Sequence, residues 1–205
     1  MQESFEFARN GGHNKLFRNR GGGRFEDVTD GAGCDSTRWT FACVAADLDD
    51  DGWIDLYLAN DYGPEELFLN RAGERFELQS GLGLDEKSKS GMCVAIGDIT
   101  NEARPALFVT NISEKGFLFQ GNNLRLCYLK EQGRFLDKQS SVTADCGWAW
   151  GAQMADFDDD GWQDLFVTNG FFSADPAQSY WYDMGKIAGG LGKIFEDATA
   201  WPKLS

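Results

Sequence analysis

The sequence predicts an all-β protein built of β-propeller blades, each of four antiparallel strands. About three and a half blades are expected, forming a partial ring or one completed by another chain. Three observations point there. Three segments repeat one another: FACVAADLDDDGWIDLYLAND from Phe41, GMCVAIGDITNEARPALFVTN from Gly91 and WGAQMADFDDDGWQDLFVTNG from Trp150. Their leading aspartates are Asp47, Asp98 and Asp156, so the period is 51 residues and then 58, which suits four-stranded blades and exceeds most solenoid repeats. Finally, 25 glycines against 4 prolines, dispersed along the chain, suggest many short elements joined by tight turns.

The first element is a hairpin in NKLFRNRGGGRFEDVTDGAG, read as the outer half of a blade at 14–30. A full blade follows at 40–80. Phe41 to Ala46 and Asp55 to Ala59 are apolar runs too short for ordinary helices, and they flank an Asp/Gly loop, so strand, loop, strand is the economical assignment. Its outer hairpin is EELFLNRAGERFELQ from Glu65, turning at Arg71-Ala72-Gly73-Glu74. The next blade, 91–138, ends in a looser LCYLKEQGRFLDKQ from Leu126. The last, 148–199, finishes in IFEDATA and carries an insertion at 171–192 whose Tyr180, Trp181 and Tyr182 pack locally or bind a partner.

Composition narrows the function. With 205 residues, 42% hydrophobic, the chain has material for one sizeable core or one compact repeat array. Against 19 Lys plus Arg stand 33 Asp plus Glu, a net charge of -14, which argues against nucleic acid and anionic lipid as partners. No apolar run approaches the roughly 18 to 20 residues that span a bilayer, so no membrane insertion is expected. The opening residues MQESFEFARNGGHNK lack the basic-then-apolar pattern of a leader. Five cysteines show no CxxC spacing, and Cys43 and Cys93, in apolar stretches, read either as buried thiols or as disulfide partners.

The sharpest chemistry lies in DLDDDGWID, 47–55, and DFDDDGWQD, 156–164. Five carboxylates within nine residues repel one another unless a cation sits among them, and the glycine at the sixth position permits the reversal that brings them together. All-oxygen ligands of flexible number favour Ca²⁺ over Mg²⁺, which wants a tight octahedron, and over zinc, which wants nitrogen or sulfur. Two calcium sites are therefore expected. The first is formed by Asp47, Asp49, Asp51, Asp55 and the backbone carbonyl of Trp53; the second by Asp156, Asp158, Asp160, Asp164 and the carbonyl of Trp162. Asp50 and Asp159 should face solvent. An EF-hand would need an acid at the twelfth position and flanking helices, but Leu58 and Val167 stand there in apolar, strand-like runs. In the middle repeat the string is DITNEARPA: Thr100, Glu102, Ala103 and Ala106 replace the ligands and the glycine, so that loop should bind weakly or not at all.

The combination DxDxDGxxDLxxxN followed by LFxNxGxxRFxDVT resembles the FG-GAP or VCBS repeats of integrin-alpha-like propellers. LFRNRGGGRFEDVTDGAG before a DxDxDGWxDLxxxN loop is most similar to bacterial relatives of cartilage acidic protein, which carry FG-GAP repeats beside a UnbV-type domain. The resemblance implies a seven-bladed propeller that is extracellular, periplasmic or on the cell surface. It further implies Ca²⁺ in the inner hairpins and a role in adhesion or protein assembly.

Nothing nominates an enzyme. The single histidine, His13, lies in the polar stretch NGGHNK, and GxSxG, GxxxxGK[ST] and HExxH are all absent. The expected function is a non-enzymatic calcium-binding module whose partner is a protein or a glycan, or the chain supplying the remaining blades. The competing reading is a glycan-binding or hydrolytic domain on a propeller scaffold. Among the seven tryptophans, Trp53 and Trp162 share a repeat position and should pack beside their loops. Trp148, Trp150, Trp181 and Tyr182 have no repeat counterpart and are candidates for a partner surface.

Overall fold

The computed structural model describes residues 8–84, 89–114 and 118–170. The chain divides after Asn169, and the unit before that point is the one described below. The insertion at 171–192, with Trp181 and Tyr182, and the outer half of the last blade lie outside the described residues.

Strands β1 (Phe17–Asn19) and β2 (Phe25–Asp27) pair antiparallel around Gly21, Gly22 and Gly23. All three glycines have positive φ, a run of left-handed backbone that side chains resist. The hairpin closes onto a single helical turn, α1 (Thr29–Ala32). Asp27 Oδ1 accepts from Thr29 N and Thr29 Oγ1 at 3.0 and 2.6 Å, and Thr29 Oγ1 in turn accepts from Leu16 N at 2.9 Å.

The next sheet contains β3 (Trp39–Ala46), β4 (Asp55–Gly63), β5 (Glu66–Arg71) and β6 (Arg75–Gln79) in that order, all antiparallel, with β7 (Lys89–Ser90) pairing the far end of β4. A second four-stranded sheet repeats the pattern with β8 (Val94–Gly97) and β9 (Ala106–Val109) as its inner pair. Here the chain departs from the repeat. Strands β10 (Ile112–Glu114) and β11 (Leu118–Phe119) intervene before β12 (Asn123–Tyr128), α2 (Leu129–Gln132) and β13 (Arg134–Asp137) complete the blade. After α3 (Ser141–Ala144), β14 (Gly147–Trp148) pairs back onto β10, making a separate sheet of order β11-β10-β14. Trp148 thus belongs to this insertion. The last described elements are β15 (Gly151–Ala155) and β16 (Asp164–Thr168), an antiparallel inner hairpin of a further blade. Among the described residues the sheets do not close into a ring, and no helix is long and apolar enough to cross a membrane.

Strand periodicity builds the core. On β4 and β5, Tyr57, Ala59, Leu67 and Leu69 point one way and pack against Leu107, Val109, Cys127, Leu129 and Phe135 of the second sheet. Leu58 and Phe68 point the other way, with Cys34 and Leu16, toward the N-terminal hairpin. Phe108 and Leu124 of the second sheet meet Met154 of β15. The central strands of the two larger sheets are therefore covered on both faces, and each fully buried large side chain such as Phe108 contributes roughly 1.5–3 kcal/mol.

None of the five cysteines is bridged. Cys43 corrects the sequence expectation: it is exposed, because β3 shows Trp39, Phe41, Cys43 and Ala45 on the face that the other sheets do not cover. Cys93 is half-buried. Cys34 and Cys127 are the buried thiols; the Cys127 Sγ lies 2.9 Å from Leu48 O, and burial pushes its pKa up to about 11.

Candidate metal-binding loops

Each inner hairpin turns through an aspartate loop, and the three loops share one backbone design. The leading aspartate reaches across and accepts two N–H groups. Asp47 takes Asp51 N at 3.0 Å and Gly52 N at 2.8 Å; Asp156 takes Asp160 N at 3.1 Å and Gly161 N at 2.8 Å. Asp98 does the same with Glu102 N at 3.4 Å and Ala103 N at 2.7 Å. The fourth position is left-handed in every copy, at Asp50, Asn101 and Asp159 (φ 59, 55 and 60), where Asp and Asn are the side chains best suited. The sixth is also left-handed: glycine in two copies, Ala103 in the middle one.

The loops differ in their acids. In the first, one oxygen from each of Asp47, Asp49 and Asp55 lies within 4.8 Å of the others, and in the third Asp156, Asp158 and Asp164 do the same. Asp51 and Asp160 stand outside these groups, each accepting the N–H two residues on, at Trp53 and Trp162. Asp50 and Asp159 are exposed. Asp50 is ion-paired with Lys130 of α2.

Asp55 is fully buried, with its oxygens accepting Leu48 N and Asn70 N at 2.9 and 2.8 Å. Asp49 Oδ1 is also buried, and no hydrogen-bond partner satisfies it. Burial first, then the charges of Asp55, Asp51 and Asp47, push the Asp49 carboxyl above its usual range. Burial likewise raises Asp55, opposed by the two N–H groups it accepts. An orphaned oxygen facing other carboxylates is what a hard cation would satisfy, so these residues fit one.

The middle loop shows the opposite balance. Burial works upward on Asp98, but the N–H groups of Thr100, Ala103 and Glu102 outweigh it and hold the carboxylate below its usual range. Its seventh position is Arg104, whose guanidinium lies 3.8 Å over the Tyr128 ring and pairs with Glu131 at 2.8 Å. The same guanidinium lies 3.7 Å from Glu102, the fifth-position acid of this loop.

The outer hairpin supports the first loop. Asn70 of β5 donates through Nδ2 to Ile54 O at 2.9 Å and accepts Gly73 N at 2.8 Å. Gly73, at φ 76, lies under Trp53; a Cβ there would come within 2.6 Å of the indole. Sequence reasoning placed Trp53 beside its loop but missed Asn70, although the asparagine recurs in LFRN and LFLN. It also missed Lys130, Asn101 and Gln163, whose contacts cross between sheets.

The FG-GAP-like repeat family matches this chain twice, at residues 7–58 and 47–109. The chain belongs to that family. The two FG-GAP copies overlap at the first aspartate loop, which ends one and begins the next; the third loop is outside the matched residues and is recognised by its likeness to the first. The chain is similar to cartilage acidic protein 1 of Xenopus tropicalis (27% identical over 179 residues), Homo sapiens (28% over 180) and Mus musculus (29% over 172). Each alignment covers 80% of this chain and 26% of the relative, so the FG-GAP chain spans about a quarter of the length of these relatives.

Proposed function

We propose that this FG-GAP chain is a non-enzymatic propeller module, stabilised by two calcium ions, that serves protein–protein interaction or assembly outside the cytoplasm: extracellular, periplasmic or at the cell surface. The observation that carries the metal reading is the buried, unpartnered Asp49 Oδ1 among Asp47 and Asp55. Asp47, Asp49, Asp51, Asp55 and the Trp53 carbonyl would hold one ion; Asp156, Asp158, Asp160, Asp164 and the Trp162 carbonyl the other. Asp51 and Asp160 would ligate through oxygens not used in capping the tryptophan N–H. Calcium would offset two of the five carboxylate charges in each loop and pin its hairpin.

The interaction role is supported by exposed apolar side chains. Phe41 on β3 lies open, and so do Phe157 and Phe166, an edge-to-face pair 6.2 Å apart beside the third loop. Trp150 and Trp39 are also exposed, at the starts of inner strands β15 and β3. Such surfaces suit a protein or glycan partner, including a chain that supplies further blades.

Thermal unfolding tests the reading. Ligand that binds only the folded state adds about 2.7 kcal/mol at a hundredfold excess over Kd. Melting should fall by many degrees on chelation and recover with Ca²⁺ but not Mg²⁺; an unchanged melting point would leave the aspartate loops as plain solvated turns.

A further inference from the structure

The loop at 98–106 keeps only Asp98 and Glu102 as acids, yet it is fastened to the loop of the next repeat. Asp98 N donates to Gln163 Oε1 at 2.9 Å, and Asn101 Nδ2 donates to Gly161 O at 2.9 Å. Gly161 and Gln163 flank Trp162, and Gln163 precedes Asp164, so both contacts hold the short stretch that carries two of the proposed ligands. A side chain on Gly97 would overlap Gln163 Oε1, so the bare glycine on β8 is what lets this amide come in. In the first loop the equivalent stretch is held differently: Asn70, from the loop's own blade, binds the carbonyl of Ile54, the counterpart of Gln163. Among the described residues the third loop is held instead by its neighbour.

We propose that Asn101 and Gln163 are positioning residues for the cation site at 156–164, so that the acid-poor middle loop acts as the outer support of the adjacent site. The inference rests on the calcium reading above. A carbonyl and a backbone segment already fixed before binding lose less freedom when the ion arrives, and outer partners of metal ligands typically change affinity by about 10–100-fold. The arrangement also gives the middle repeat a use for the backbone it shares with the other two.

Terbium, whose emission is sensitised by a nearby tryptophan, reads the two loops separately in the full chain. The Trp53→Phe background reports the third loop and Trp162→Phe the first, with Ca²⁺ as competitor. Asn101→Gly removes the amide where left-handed backbone suits glycine, and Gln163→Leu removes the acceptor. Each should weaken terbium at the third loop by about tenfold, leaving the first loop and the melting point in chelator as in the parent. Gln163→Glu, which keeps an acceptor oxygen, should retain binding at least as tight. Unchanged affinity at the third loop in both Asn101→Gly and Gln163→Leu would overturn this inference while leaving the calcium reading intact. Absence of sensitised emission from either loop would overturn both.

Discussion

Glu65, in the link between β4 and β5, forms an ion pair with Arg125 of β12 in the next sheet, across 60 residues of sequence and almost fully shielded from water. Tyr57 Oη lies 2.9 Å from Arg125 Nη1, and Asn123 Nδ2 donates to the other Glu65 oxygen at 2.7 Å. Removing the carboxylate would leave a buried guanidinium beside an apolar interface. Glu65→Ala should therefore lower stability by about 3–5 kcal/mol, with or without calcium, in denaturant unfolding.

The same network makes stability pH-dependent on the alkaline side. Burial, then the Glu65 charge, pushes the Tyr57 phenol well above its ordinary value near 10. The folded state thus keeps a proton that the unfolded chain gives up. Its contribution is complete below pH 10 and is lost as pH rises beyond that. Denaturant unfolding between pH 9 and 11 should show this decline, and Tyr57→Phe should make it shallower; an equal slope in the variant would remove Tyr57 as its source.

Asp49→Asn should act with opposite signs in two conditions. In chelator the variant should melt no lower than the parent, because the Asp49 carboxyl, pushed up by burial and by the charges of Asp55, Asp51 and Asp47, is replaced by a neutral amide. In calcium it should melt lower, because a ligand is weakened. Paired melting curves check this, and a loss of equal size in both conditions would point to packing instead.

Asp98→Ala should behave differently. It removes the acceptor for three backbone N–H groups in a loop whose one other acid is Glu102, at a half-exposed position where water replaces part of the loss. A fall of about 1 kcal/mol is expected, the same in calcium and in chelator. A calcium-dependent fall would mean that the middle loop also binds.

The repeat, the hairpins and the aspartate loops were legible because each is local: glycine turns, short apolar runs and acid spacing sit within some twenty residues. Four features were not. Asp51 and Asp160 have the spacing of ligands, but the same spacing lets a carboxylate cap the N–H two residues on, and pattern does not separate the two uses. Cys43 lies in an apolar run, yet which face of a strand is covered depends on what packs there. The sheet of β10, β11 and β14 joins residues more than thirty apart, so Trp148 looked like the start of a blade. The partners of the third loop were hidden for a related reason. Asn101 and Gln163 belong to different repeats, and neither stands at a position the acid pattern marks.

The most direct measurement is the number of calcium ions bound per chain, by equilibrium dialysis of the purified protein, with Asp49→Asn and Asp158→Asn alongside. Two ions in the parent and one in each variant is the predicted result. No bound calcium would contradict the central claim, and three would contradict the division between the acid-rich loops and the one that carries Arg104.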